Sequence, residues 1–212
     1  MDQDRVPGAL WLLVGAMAAV ELVLSAADRG ILPGDLRWWA LLHGAFWRQL
    51  LEGVPPVYPG QGTVMFLSHA FLHGGFFHLV MNGVVLLALG KLVAQQAGSA
   101  AMLLLFAVSA IGGGIGFALL GQGEAPMVGA SGAVFGFLAL WQYWEAQARR
   151  ARGLTLQPVF ATVAALAAAN VALAVLLEGA LAWQAHLGGF VAGLVLGPVM
   201  TRIARNRPRR WG

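Results

Sequence analysis

The sequence predicts an all-α polytopic membrane protein: a bundle of six transmembrane helices with a long, partly helical first external loop. Three observations carry this. Apolar residues make up 59% of the 212 residues and charged residues only 10%. The mean hydropathy is +0.74, and such a composition is far from that of soluble globular domains. Apolar stretches of about 20 residues, long enough to cross a hydrocarbon core as helices, recur near 7–26, 77–96, 99–120, 129–148, 157–177 and 182–203. Residues 1–212 read as a single membrane domain without internal repeats or a linker to a soluble domain.

The first stretch ends in Ser25-Ala26-Ala27, small residues of the kind a signal peptidase cuts after. Its length, its internal Glu21, and Asp2 and Asp4 against a single Arg5 read instead as a retained span. The segment 27–76 is too long for a plain connection and must have structure of its own. Trp38, Trp39, Phe46, Trp47 and Tyr58 among scattered charges give it the composition of a segment at the membrane surface, interrupted by the turn-rich "VPPVYPGQG". The later connections are short: "GQGEAPM", "ARRARGLTLQ" and "LLEGALA". The fifth span is mostly small residues, and a basic tail, 204–212, closes the chain.

Charge orients the spans. With the N-terminus cytoplasmic, Arg5, Lys91, Arg149, Arg150, Arg152, Arg202, Arg205, Arg207, Arg209 and Arg210 all fall inside, and only Arg29, Arg37 and Arg48 fall outside. The positive-inside rule therefore places both termini in the cytoplasm. The formal charge of +4 is accounted for by topology and by contact of the tail with anionic lipid, and no nucleic-acid partner is expected. There is no cysteine, so disulfides, thiolate metal sites and cysteine nucleophiles are excluded.

Polar groups inside a membrane are costly and are functional candidates by default. His78, Asn82, Ser131 and His186 stand out. Given the topology, the second, fourth and sixth spans all run inward, which puts His78, Ser131 and His186 at one depth just below the outer surface. His186, Gly189, Gly193 and Gly197 share one helical stripe, and Gly132, Gly136 and Ala139 form another directly after Ser131. Small-residue stripes let membrane helices approach closely. If these two meet, the imidazole of His186 lies over the hydroxyl of Ser131 as a base over a nucleophile. His78 and Asn82, at i and i+4, project together and supply donors for a developing oxyanion. His69 and His73 also stand at i and i+4, but without an HExxH pattern or nearby carboxylates they favour structural hydrogen bonding over zinc or haem. No cofactor and no metal are expected.

The segments "HAFLHGGFFHLVMNG", "GASGAVFG" and "AWQAHLGGFVAG", in this order and approximate spacing, resemble the rhomboid intramembrane serine proteases. The resemblance spans residues 38–200. It implies Ser131 as nucleophile, His186 as general base, and His78 and Asn82 with the backbone N–H of Ser131 as the oxyanion hole. Gly129, Gly132, Phe135, Gly189, Gly193, His69 and His73 would support them. Trp47-Arg48 matches a tryptophan-arginine pair of the family, although about twenty residues separate Arg48 from His69, more than in many relatives. Phe135 stands where many relatives carry a tyrosine stacked on the histidine. Since no aspartate follows Asp35, a Ser-His dyad is expected, with His186 oriented by stacking on Phe135. The implied partners are transmembrane protein substrates, reaching the site sideways from the lipid bilayer past the fifth span. The alternative is a catalytically silent protein of the same fold that binds membrane clients. Twelve arginines against one lysine suggest a bacterial cytoplasmic membrane, with the site towards the outer side. Oligomeric state and natural substrate leave no mark in the sequence.

Overall fold

The computed structural model describes residues 6–177 and 181–207. Among these, all regular structure is helical: α1 (Gly8–Asp28), α2 (Leu36–Gly44), α3 (Gln61–Ser68), α4 (Phe76–Ala97), α5 (Ser99–Leu120), α6 (Ser131–Ala151), α7 (Gln157–Leu176) and α8 (Trp183–Asn206). Short 3-10 turns occupy Arg48–Glu52 and His69–Phe71. Arg5, Arg209 and Arg210, three of the ten cations expected on the inner side, lie outside the described residues, as do residues 208–212 of the tail.

Helices α1, α4, α5, α7 and α8 are each long and apolar enough to cross a membrane. The remaining expected span, the fourth at 129–148, is α6. It has the length, 21 residues, but Gln142, Glu145, Gln147, Arg149 and Arg150 make its second half polar. The reason lies in its position: α6 packs on α4, α5 and α8 at the centre of the bundle, so protein rather than lipid surrounds much of it. Leu86, Met102, Leu105, Phe137 and Leu140 fill the space between these helices.

Lipid tails are as apolar as leucine, so membrane helices associate by close packing rather than by the hydrophobic effect. Here the closest packing is made of glycine. A Cβ added at Gly193 would stand 2.7 Å from the Cα of Gly136, and one at Gly113 would stand 3.3 Å from the Cα of Gly132. On the other side of α8, a Cβ at Gly112 would meet the Cβ of Ala192 at 2.6 Å and the carbonyl oxygen of Gly188 at 2.9 Å. The stripes read on α6 and α8 do meet. A third, on α5, joins them, so three backbones run together where the sequence reading expected two.

The first loop closes on itself. The last carbonyls of a helix have no partner within it, and four side chains supply those of α2. Trp47 Nε1 donates to Leu41 (2.8 Å), Gln61 Nε2 to Leu42 (2.7 Å), Tyr58 to His43 (2.9 Å) and Ser68 Oγ to Gly44 (2.7 Å). Phe46 and Met127 exchange backbone hydrogen bonds of 2.9 and 3.0 Å, which ties the loop to the segment before α6.

Arg37 fastens the loop to α1. Its guanidinium donates to both Glu21 oxygens (2.8 and 3.3 Å), to Asp28 (2.6 Å) and to the carbonyl of His73 (3.0 Å). Hydrogen bonding to Glu21 raises its pKa. Glu21 is fully buried, and a buried charge stripped of its partner is strongly destabilising. Arg37→Ala is therefore expected to lower stability by about 2–3 kcal/mol, less than for a pair buried on both sides because Arg37 is partly exposed. Adding Glu21→Gln should recover most of the loss. Thermal unfolding of the single and double variants in detergent is the check, and a single variant as stable as the parent contradicts the role of this ion pair.

Candidate active site

Ser131 is the first residue of α6, and the approach to it is shaped by Gly129. That glycine has φ +119°, in the region that L side chains rarely adopt. Its N–H donates to the carbonyl of His69 at 2.9 Å. A Cβ there would press into the imidazole of His78, 2.7 Å from Cε1 and 2.8 Å from Nε2. Glycine is thus required twice, for its torsion angle and for the ring beside it. Starting the helix at Ser131 also leaves the first-turn N–H groups without intrahelical acceptors, at the positive end of the helix dipole. A developing negative charge is favoured at such a point.

His186 lies in the first turn of α8. The glycine contact between α6 and α8 brings its Nε2 to 2.8 Å from the hydroxyl of Ser131. Its ring stacks on Phe135, with centroids 4.3 Å apart and planes 9° from parallel. The far nitrogen, Nδ1, lies 2.7 Å from Oδ1 of Asn170 on α7. The dyad expectation leaves this third group out. Since no carboxylate is near, it treats stacking on Phe135 as the substitute; the structure has the stacking and an amide as well. The signal in the sequence is that Asn170 is the one amide in the interior of an otherwise apolar span, whose only other interior polar side chain is Thr162.

His78 and Asn82 project from the first turns of α4. The backbone N–H of Gly74 donates to Nδ1 of His78 at 3.3 Å, which makes Nδ1 the acceptor and leaves the proton on Nε2. That is the nitrogen beside Gly129. Asn82 is buried and spends one amide hydrogen on the carbonyl of His78, at 3.0 Å; an amide has two. The N-terminal ends of α4, α6 and α8 thus converge, with a hydroxyl and an imidazole in hydrogen-bond contact and N–H donors on two sides. Such a cluster can activate an oxygen nucleophile and stabilise an oxyanion.

The surrounding residues have definite places. His69 Nε2 lies 3.3 Å from the carbonyl of Ala110, so His69 joins α5 to the Gly129 strap. His73 packs edge-on against His78, with centroids 5.2 Å apart. Both lie outside the spanning helices, and burial pushes both imidazoles down to about 4, so they are neutral at pH 7. Arg48 pairs with Glu52 within its own 3-10 turn. It is Arg37 that reaches the bundle.

A Rhomboid domain family model matches residues 61–203. RHOMBOID-like protein 5 of Arabidopsis thaliana is 33% identical over 140 residues, 63% of this chain and 43% of that protein. RHOMBOID-like protein 2 of the same plant is 36% identical over 155 residues, 71% of this chain and 46% of its own length. The mitochondrial Rhomboid protein 1 of Saccharomyces cerevisiae is 33% identical over 156 residues, covering 69% of this chain and 45% of the yeast protein. The chain therefore spans less than half the length of these relatives.

Proposed function

The chain belongs to the rhomboid family, a family of intramembrane protease type, and from that premise we propose that it is a serine endopeptidase that cuts transmembrane segments of other proteins near their outer ends. The observation that carries this reading is the 2.8 Å contact between Ser131 and His186 within a bundle of apolar helices. Ser131 Oγ attacks the scissile carbonyl carbon as its proton passes to Nε2 of His186. The carbonyl electrons move onto oxygen. The backbone N–H of Ser131, Nε2–H of His78 and the free amide hydrogen of Asn82 stabilise that oxyanion. When the intermediate collapses, the C–N bond breaks and the imidazolium protonates the leaving amine. Water then gives a proton to Nε2 of His186 as its oxygen attacks the acyl carbon; the ester C–O bond breaks, and the imidazolium returns the proton to Ser131 Oγ as the acid product leaves.

Access fits α7. None of its residues is buried against the bundle, so it is the helix most easily displaced to admit a substrate from lipid. Substrates with small or helix-breaking residues near the outer face would unwind most readily into the site. The location is the cytoplasmic membrane of a bacterium, with both termini inside and Ser131 towards the outer side. That orientation rests on the cation distribution.

The test is reconstitution in liposomes with a single-span substrate carrying a helix-breaking residue near its outer end. Two fragments from a cut inside the span, together with fluorophosphonate labelling of the folded protein, are expected. A folded protein that retains the substrate but neither cuts it nor takes the label is a silent client-binding protein instead. For the oxyanion donors, His78→Ala and Asn82→Ala are each expected to lower kcat by about 100-fold with little change in KM. Steady-state cleavage in detergent measures this, and an unchanged kcat removes the residue from the oxyanion hole.

A further inference from the structure

Helix α7 is almost wholly apolar, and its half-covered residues Val159, Thr162, Val163, Leu166, Asn170 and Ala174 recur every three or four positions, marking the face turned to α6 and α8. Of the two polar side chains among them, Thr162 is satisfied within α7 by donating to the carbonyl of Pro158 at 3.0 Å, which leaves Asn170. An amide facing protein from a lipid-exposed helix is expensive unless it has a partner, and its partner is Nδ1 of His186. The direction of that bond follows from the other ring nitrogen. For Nε2 to accept the proton of Ser131 it must carry a lone pair, so the ring hydrogen is on Nδ1 and donates to Oδ1 of Asn170. The stacked ring of Phe135 restrains the plane of the imidazole but cannot select between its two tautomers, whereas an oxygen acceptor at Nδ1 does.

We infer that Asn170 is a positioning residue: it fixes the tautomer and rotation of His186 from the helix that yields to substrate, so that the base is set for proton abstraction only while α7 is seated on the bundle. This rests on the serine-protease reading above. Displacing α7 breaks the bond, and reseating it around a bound segment restores the bond at the moment chemistry begins. The roles of a triad's third member are thus divided here between Phe135, on the rigid part of the site, and Asn170, on the yielding part.

The experiment compares kcat, KM and the pH–rate profile for the parent, Asn170→Leu, Asn170→Asp and Leu166→Ala in the liposome assay. Leucine keeps the shape of asparagine and suits lipid, so α7 stays seated while the acceptor is lost. Asn170→Leu is expected to lower kcat by roughly 10- to 100-fold with KM within about twofold, since groups that orient a reacting imidazole carry effects of this order or larger. Asn170→Asp restores an acceptor and adds a charge that stabilises the imidazolium. It should recover most of the rate and move the acidic limb of the profile upward by about one pH unit. The other titratable side chain close to His186, His78 on α4, is the same in every variant. Leu166→Ala loosens the same face without touching the bond and should not lower kcat. The inference is overturned if Asn170→Leu keeps kcat within about twofold of the parent. It is also overturned if Leu166→Ala matches the fall in kcat while Asn170→Asp leaves the acidic limb in place. Cleavage that survives Ser131→Ala would defeat the serine-protease reading itself, whereas Ser131-dependent cleavage indifferent to Asn170 defeats this inference alone.

Discussion

Ser131→Ala is expected to slow cleavage of a membrane-embedded substrate by roughly 10⁴- to 10⁶-fold, and His186→Ala by a similar factor. The effects are large because the two groups act as one unit: without the imidazole the hydroxyl is a poor nucleophile, and without the hydroxyl there is nothing for Nε2 to deprotonate at 2.8 Å. For the same reason the double variant should be hardly slower than either single one. Single-turnover cleavage measures all three, and fluorophosphonate labelling must disappear with Ser131. Substrate binding should persist, since the removed hydroxyl contributes little to holding a helix. Losses that multiply in the double variant would mean that the two residues act independently, contrary to the mechanism.

The second large effect concerns Gly189→Leu. A Cβ at this position would lie almost on the carbonyl oxygen of Gly132, and main chain cannot step aside as a flexible side chain can. Helices α6 and α8 must separate, which costs more than the roughly 1–3 kcal/mol usual for overpacking and draws His186 off Ser131. Loss of the folded protein, or a folded protein without fluorophosphonate reactivity, is expected. Gly15→Ala is the control: nothing lies within 4 Å of a Cβ there, so labelling should be unchanged and thermal unfolding no lower than the parent's. A Gly189→Leu variant with parental stability and labelling would show that the two helices are not held at this point.

Much of the fold was legible because the bilayer dictates it. A helix must be apolar for about 20 residues to cross, so the ends of α1, α4, α5, α7 and α8 fell within a few residues of the apolar stretches. The central helix α6 is the instructive case. Its Glu145 and Arg149 pair with each other, and its neighbours are other helices, so it does not meet the apolar requirement along its whole length. Ser131, His186 and the glycines after each could be matched because a periodic stripe survives in one dimension. Asn170 could not be matched in the same way. A lone amide carries no period, and its meaning depends on which way α7 faces. Arg37 looks like a mere topology charge in the sequence for a similar reason. Its partners Glu21 and His73 are distant along the chain, and only folding of the loop brings them together.

The meeting of α5, α6 and α8 through glycine has a thermodynamic consequence. Docking two preformed membrane helices normally freezes side-chain rotamers, at up to about 2 kcal/mol for a long side chain. Glycine has no rotamers to lose, and its backbone freedom is already spent when each helix forms in the bilayer. The seam beneath Ser131 and His186 therefore assembles at little conformational cost, and the hydroxyl and imidazole are held over helices that lose few rotamers in meeting.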